Sequence, residues 1–206
     1  MFHSLFFVTF KVPTNILYID STFWEIYMEF YGSQTEKNLK KTFTGESKAN
    51  TKYTLYAEKA RSEGLHYVAQ VFDETAFNEL AHARRVFGEF LGEVNSTEEN
   101  LMNAFMGETA EATAIYKEYE EVARREGFEE IADFYKELAE VEAEHDLRFR
   151  ALYNRLLSCT LYKGDSDSLW QCTNCGYIHE GDTAPKVCPL CKFPQGWFEP
   201  YCNPLE

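Results

Sequence analysis

The chain has 206 residues with 34 acidic and 20 basic side chains, a formal charge of −14. That surplus argues against a dedicated nucleic-acid binder, which needs a basic stripe to displace phosphate counterions, and against docking on anionic lipid. At 45% apolar and 26% charged the composition is globular. Four of the six cysteines form two C-x-x-C pairs, which points to metal in a reducing, cytoplasmic setting rather than to a secreted disulfide framework.

Residues 1–32 form an N-terminal extension to which the sequence assigns no role. Its apolar run is broken by Lys11, Pro13 and Asp20, short of the ~20 residues a spanning helix needs. It has neither the basic start of a secretory signal nor the Arg-rich pattern of a transit peptide. Residues 33–157 contain no proline, and their periodicity predicts four helices over 35–63, 65–91, 97–126 and 128–157. Ser33 with Glu36, and Ser96 with Glu99, read as capping boxes, and Gly64, Gly92 and Gly127 fall where helices should end. The expected class is an all-α four-helix bundle. A linker over 158–168 then leads to a small module at 169–206.

Each predicted helix carries an apolar seam in steps of three and four that is interrupted near its middle by Glu or by Glu and His. The interruptions are Glu46 in the first helix, Glu79 and His82 in the second, Glu108 and Glu111 in the third, and Glu142 and His145 in the fourth. One Glu on a helix is usually solvated, and a single E-x-x-H is a weak signal. Two E-x-x-H pairs and further glutamates in register on four apolar seams are different, because carboxylates converging in a core need a cation. Glutamates from two helices plus Glu-x-x-His from the other two form the ligand set of a di-iron or di-manganese bundle. Glu46 to Glu79 spans 33 residues and Glu108 to Glu142 spans 34, as two duplicated hairpins would.

Cys172-x-x-Cys175 and Cys188-x-x-Cys191 make two knuckles that offer a tetrahedral S₄ site. The ligands alone leave iron and zinc open. Cys159 and Cys202 lie outside the knuckles.

Taken together, Thr35-Glu-Lys-Asn-Leu, Gly45-Glu46-Ser, Asn78-Glu79-Leu-Ala-His82-Ala, Gly107-Glu108-x-x-Glu111, Glu142-x-x-His145 and Cys172-x-x-Cys175-Gly-Tyr-Ile-His-Glu-Gly resemble the rubrerythrin family over about residues 33–200. The resemblance implies a ferritin-like di-iron bundle followed by a rubredoxin-like Fe(Cys)₄ domain. It implies a peroxidase that reduces hydrogen peroxide to water, with electrons from an NAD(P)H-dependent reductase or rubredoxin-like donor passing through the Cys₄ iron. Carried over by position, Glu79 and Glu142 would bridge two irons, Glu46 would hold one, and Glu108 with His145 the other. Glu111 and His82 would be alternative ligands to the first iron, and Tyr53 and Tyr116 would hydrogen-bond the ligand glutamates. Two departures stand out. Lys192 occupies the place of a glycine after the second knuckle, and residues 1–27 are unlike the family, as untranslated upstream sequence would be.

Ferritin-like bundles need one long crossover between their second and third helices. Here the helix stretches beyond Glu79 and before Glu108 total roughly 34 Å, at 1.5 Å per residue. Residues 92–96 span only about 18 Å. A homodimer or higher oligomer with helices swapped between chains is therefore expected. The rival reading is a ferroxidase or iron-storage protein, which would have no use for an appended one-electron carrier.

Overall fold

A computed structural model describes residues 29–202. The N-terminal stretch discussed above lies almost wholly outside the described residues. The chain divides between Val94 and Asn95 into two compact units.

The first unit is a helical hairpin. Helix α1 runs Gln34–Ser62, and α2 runs His66–Arg85 and continues as a π-helical turn, Val86–Phe90. Ser33 caps α1 by accepting from the Glu36 N–H at 3.0 Å. The expected reciprocal bond is displaced: the Ser33 N–H donates to the Phe30 carbonyl, so the Glu36 carboxylate takes the Gly32 N–H instead. Gly64, at φ +77°, turns the chain in a left-handed conformation that a side chain would disfavour. Ala57, Ala60 and Ala69 form a buried cluster, with Ala76 and Ala83 buried further along α2. Such small residues let two helices approach closely.

The second unit begins with α3, Thr97–Ala110, capped by a complete Ser96–Glu99 capping box. A π-helical turn, Glu111–Ile115, joins it to α4, Tyr116–Glu126. Gly127 at φ +85° ends that helix, and α5, Glu129–Leu157, packs back along both. The buried alanines of these helices are Ala112, Ala123, Ala132 and Ala139. The extra residue in the 34-residue spacing is explained here. Tyr53 to Glu79 and Tyr116 to Glu142 are both 26 residues, so the insertion falls between Glu108 and Tyr116, where the π turn lies.

The seams predicted as core are not deeply buried within these units. Val68, Phe90, Ile131 and Leu152 are exposed, whereas alanines fill the helix–helix contacts. A seam that serves a four-helix core is only half covered by the one helix it is hairpinned to.

The C-terminal module is a three-stranded antiparallel sheet, β1 (Leu169–Cys172), β2 (Ile178–Glu180) and β3 (Phe198–Tyr201), in the order β2-β1-β3. Trp170, Cys172, Ala184, Cys188 and Phe198 form its core, with Tyr162 packed against it. Arg155 near the end of α5 donates to the Thr160 and Lys163 carbonyls, tying the connection to the helix. Among the described residues no helix is long and apolar enough to cross a membrane.

Candidate metal centres

The structure gathers the predicted ligands other than Glu111 into three groups. In the first hairpin, ligand atoms of Glu46, Glu79 and His82 lie within 4.8 Å of one another, and in the second those of Glu108, Glu142 and His145 do the same. The spacing dictates both. Glu and His three residues apart share a helix face, and the facing helix supplies one more carboxylate. His82 Nδ1 lies 2.9 Å from Glu79 Oε2 and 3.3 Å from Glu46 Oε2. His145 Nδ1 lies 2.7 Å from Glu142 Oε2 and 3.7 Å from Glu108 Oε2. Glu142 is buried at 9% exposure, deepest among the six ligands.

The electrostatics are those of carboxylates and an imidazole crowded together in each hairpin. Hydrogen bonding to Glu46, then to His82, holds the Glu79 carboxyl below its ordinary range. His82 is raised, first by Glu79 and then by Glu46. Burial, then the neighbouring Glu142, pushes Glu108 up. In each hairpin the carboxylates stand close enough together for a divalent ion to hold them. Hard oxygen donors with one imidazole per hairpin fit iron or manganese better than a structural zinc.

Glu111 is half-buried on the π turn and contributes to raising Tyr116, whose main cause is burial. It is not drawn into the Glu108, Glu142 and His145 group. Tyr53 and Tyr116 sit in matching aromatic clusters. Tyr53 stacks near-parallel on Phe72 at 6.1 Å, and Tyr116 on Tyr135 at 6.0 Å.

The four knuckle cysteines form the third group. Cys172 and Cys191 Sγ are 3.7 Å apart, as are those of Cys175 and Cys188. A tetrahedron of sulfurs about 2.3 Å from a metal has edges of about 3.8 Å. The spacing is therefore that of a metal site and far from a disulfide. Burial pushes the Cys191 thiol up, but bonds from Asn174 and the Phe193 N–H outweigh it and leave the thiol at about 6. At Cys175 the Tyr177 N–H pulls the thiol down, while burial and the three neighbouring sulfurs carry it up to about 12. Four sulfurs so close cannot all ionise without a cation.

A family model described as rubrerythrin matches residues 37–153, and one described as the rubrerythrin rubredoxin-like domain matches residues 170–199. The chain belongs to the rubrerythrin family. The rubrerythrin of Porphyromonas gingivalis is 42% identical over 188 residues, covering 85% of this chain and 94% of that protein. The rubrerythrin of Nitratidesulfovibrio vulgaris is 35% identical over 82% of this chain and 94% of that one. A solved structure titled as partially reduced nigerythrin is 29% identical, covers 82% of this chain and 87% of that one, and superposes with a TM-score of 0.32. As in other rubrerythrins, the architecture is a ferritin-like helical domain followed by a rubredoxin-like module, with candidate di-iron and Cys₄ iron centres.

Sequence reading missed one group beside these centres, Thr109, Asp146 and Arg150, which bridges α3 and α5. Its signal was a charged residue directly after a ligand, which on a helix reads as an ordinary solvated face.

Proposed function

We propose that the protein is a non-haem di-iron peroxidase, reducing hydrogen peroxide to water with electrons from an NAD(P)H-dependent reductase through the Cys₄ iron in the cytoplasm. One observation carries this reading: two Glu/Glu/His groups and a four-sulfur site occur in the same chain. A storage ferroxidase would need the first two and not the third. The reaction balances as one peroxide, two electrons and two protons giving two waters.

When bound, the iron pair supplies two electrons and Lewis acidity at the O–O bond. Everything else is the work of the side chains. Glu79 and Glu142 would be ligands shared by both positions, Glu46 and His82 would hold one, and Glu108 with His145 the other. Glu111, the fifth carboxylate, would supply further negative charge to the site, and its carboxylate oxygens would carry protons inward. Tyr116 is raised by burial and then by Glu111, so its hydroxyl stays protonated and available as a donor to the glutamates. Tyr53 has the same role in the other hairpin. The bundle is completed between two chains, α1 and α2 of one with α3 to α5 of the other. Support for this comes from the short connection between Phe90 and Thr97 and from large apolar side chains such as Phe77 and Leu147 left exposed.

Mixing the fully reduced, iron-loaded protein with peroxide and, separately, with O₂ tests the reaction. Reoxidation of the ferric–thiolate absorption should be faster with peroxide, and faster reaction with O₂ overturns the reading in favour of a ferroxidase. Sedimentation of the iron-loaded protein should give no monomer.

A further inference from the structure

The two hairpins repeat one another closely around their ligands, and the differences between them are confined. Phe43 in α1 stacks on Phe87 in the π turn of α2, with centroids 4.6 Å apart. The corresponding residues of the second unit, by their spacing from Glu46 and Glu108 and from His82 and His145, are Phe105 and Arg150. There the Arg150 guanidinium lies 4.2 Å over the Phe105 ring. Its Nη2 donates to Asp146 Oδ1 at 2.7 Å and to Thr109 Oγ1 at 3.1 Å. The Thr109 hydroxyl lies 2.7 Å from Asp146 Oδ1 and from the Phe105 carbonyl, so it can donate to either. The Asp146 side chain is only 17% exposed.

The three residues thus form a polar bridge from α3 to α5. Thr109 directly follows the ligand Glu108, and Asp146 directly follows the ligand His145. The positions matching Thr109, Asp146 and Arg150 in the first hairpin are Ser47, Ala83 and Phe87. Ala83 and Phe87 carry no side-chain polar atoms, so no such bridge can form. Near the ligands the first hairpin has instead a neutral cross-helix bond, Asn50 Nδ2 to the Ala76 carbonyl at 2.7 Å, a turn away from Glu46, and its charged cross-helix pair, Arg61 with Asp73, lies further along α1.

We infer that Thr109, Asp146 and Arg150 are positioning residues for the Glu108, Glu142 and His145 group, and that they make the two metal positions of the bundle unequal. Glu108 and Glu142 repel one another before a cation arrives, which drives α3 and α5 apart at the ligands. A bridge anchored one residue from a ligand on each helix resists that splaying. Because the Asp146–Arg150 pair is neutral as a whole, it fixes geometry without changing the charge of the site. Groups that orient ligands without touching the ion typically change metal affinity 10–100-fold. The position served by Glu108 and His145 therefore fills first and releases last. This inference rests on the metal-binding part of the proposed function and not on its reaction with peroxide.

Anaerobic titration of the full-length apoprotein with Co(II), followed by absorbance and by competition with a chelator, tests it. The wild-type chain should bind two bundle equivalents of unequal affinity. Asp146→Ala should weaken the tighter one about 10–100-fold, the same equivalent that His145→Gln removes, and leave the Cys₄ equivalent unchanged. Asp146→Asn, which keeps an acceptor for Thr109 and Arg150, should recover part of the loss. If Asp146→Ala does not fold by circular dichroism, Thr109→Val and Arg150→Met give the same readout, since both conserve shape. Ser47→Ala in the first hairpin should change neither equivalent. Equal loss at both bundle equivalents, loss of neither, or an identical effect of Ser47→Ala overturns the proposal. Metal titration that follows this pattern in a protein inert to peroxide would leave the inference standing and remove the peroxidase reading.

Discussion

Tyr116 stacks on Tyr135 with ring centroids 6.0 Å apart and planes 25° from parallel. Tyr53 and Phe72 repeat that relationship in the first hairpin at 6.1 Å and 29°. In both, a third aromatic meets the partner ring edge-on, Tyr119 on Tyr135 and Tyr56 on Phe72. The duplication legible in the spacing of the glutamates is thus also a duplication of packing. The clusters stand a few turns from the ligands and fix the spacing of the helix pair there.

Metal should stabilise the protein more as the pH rises. His82 is raised chiefly by Glu79, so in the apoprotein the imidazolium–carboxylate pair contributes stability below the unfolded pKa of about 6.5, lost as pH climbs through the raised value. Metal binding needs the imidazole neutral, so it follows the opposite course. The melting-temperature gain on loading with Fe(II) or Co(II) should increase between about pH 5 and pH 8, and His82→Gln should flatten that slope. A gain independent of pH would remove His82 from the ligand set.

Cys191→Ser should abolish ferric–thiolate absorption and destabilise the C-terminal module, while both bundle equivalents of metal persist. The sulfurs contribute to the core of so small a module, with Cys172 and Cys188 fully buried. Binding free energy at such a site is folding free energy. Absorption spectra with metal analysis check the first outcome, and thermal unfolding the second.

Ser96→Ala should cost about 1 kcal/mol, because it removes the hydroxyl that accepts from the Glu99 N–H and donates to the Glu99 carboxylate, while the backbone N–H at 96 still donates to Glu99. Glu99 is held below its ordinary range by the Ser96 hydroxyl and then the Ser96 N–H. Its contribution is therefore present above the unfolded carboxylate range and lost as pH falls through the depressed value. Denaturant melts of the wild type and variant at neutral and at acid pH should converge towards the acid end.

Lys192 occupies a left-handed conformation, φ +65°, as Gly176 does after the first knuckle at φ +76°. Its ammonium donates to the Pro189 carbonyl at 2.8 Å, a bond on the exposed surface. Lys192→Gly should stabilise the module by up to about 1 kcal/mol, since relief of strain exceeds a solvent-exposed hydrogen bond. Lys192→Val, β-branched, should destabilise it. Chemical unfolding followed by Trp170 fluorescence, the buried reporter, compares the two.

The sequence alone determined the four helical stretches, the Ser96–Glu99 cap and the candidate ligands that the fold gathers. Those features depend on local propensity and on periodicity: a Glu three residues before a His must share its helix face, and a glycine after the last periodic residue must turn the chain. Helix ends were placed within a few residues, and Gly64, Gly92 and Gly127 all take the left-handed conformation. Only the tertiary structure decided the rest. The π turns cannot be read from a 3.6-residue period, although the single extra residue between Glu108 and Tyr116 is the trace of the second. Alanines, not the large seam residues, close each hairpin, because helix–helix approach is set by the smaller side chains at the contact. Asp146 reads as solvent-facing until α3 brings Thr109 to it. Whether a charge on a helix is surface or scaffold depends on its neighbour across the interface, which one helix's sequence does not contain.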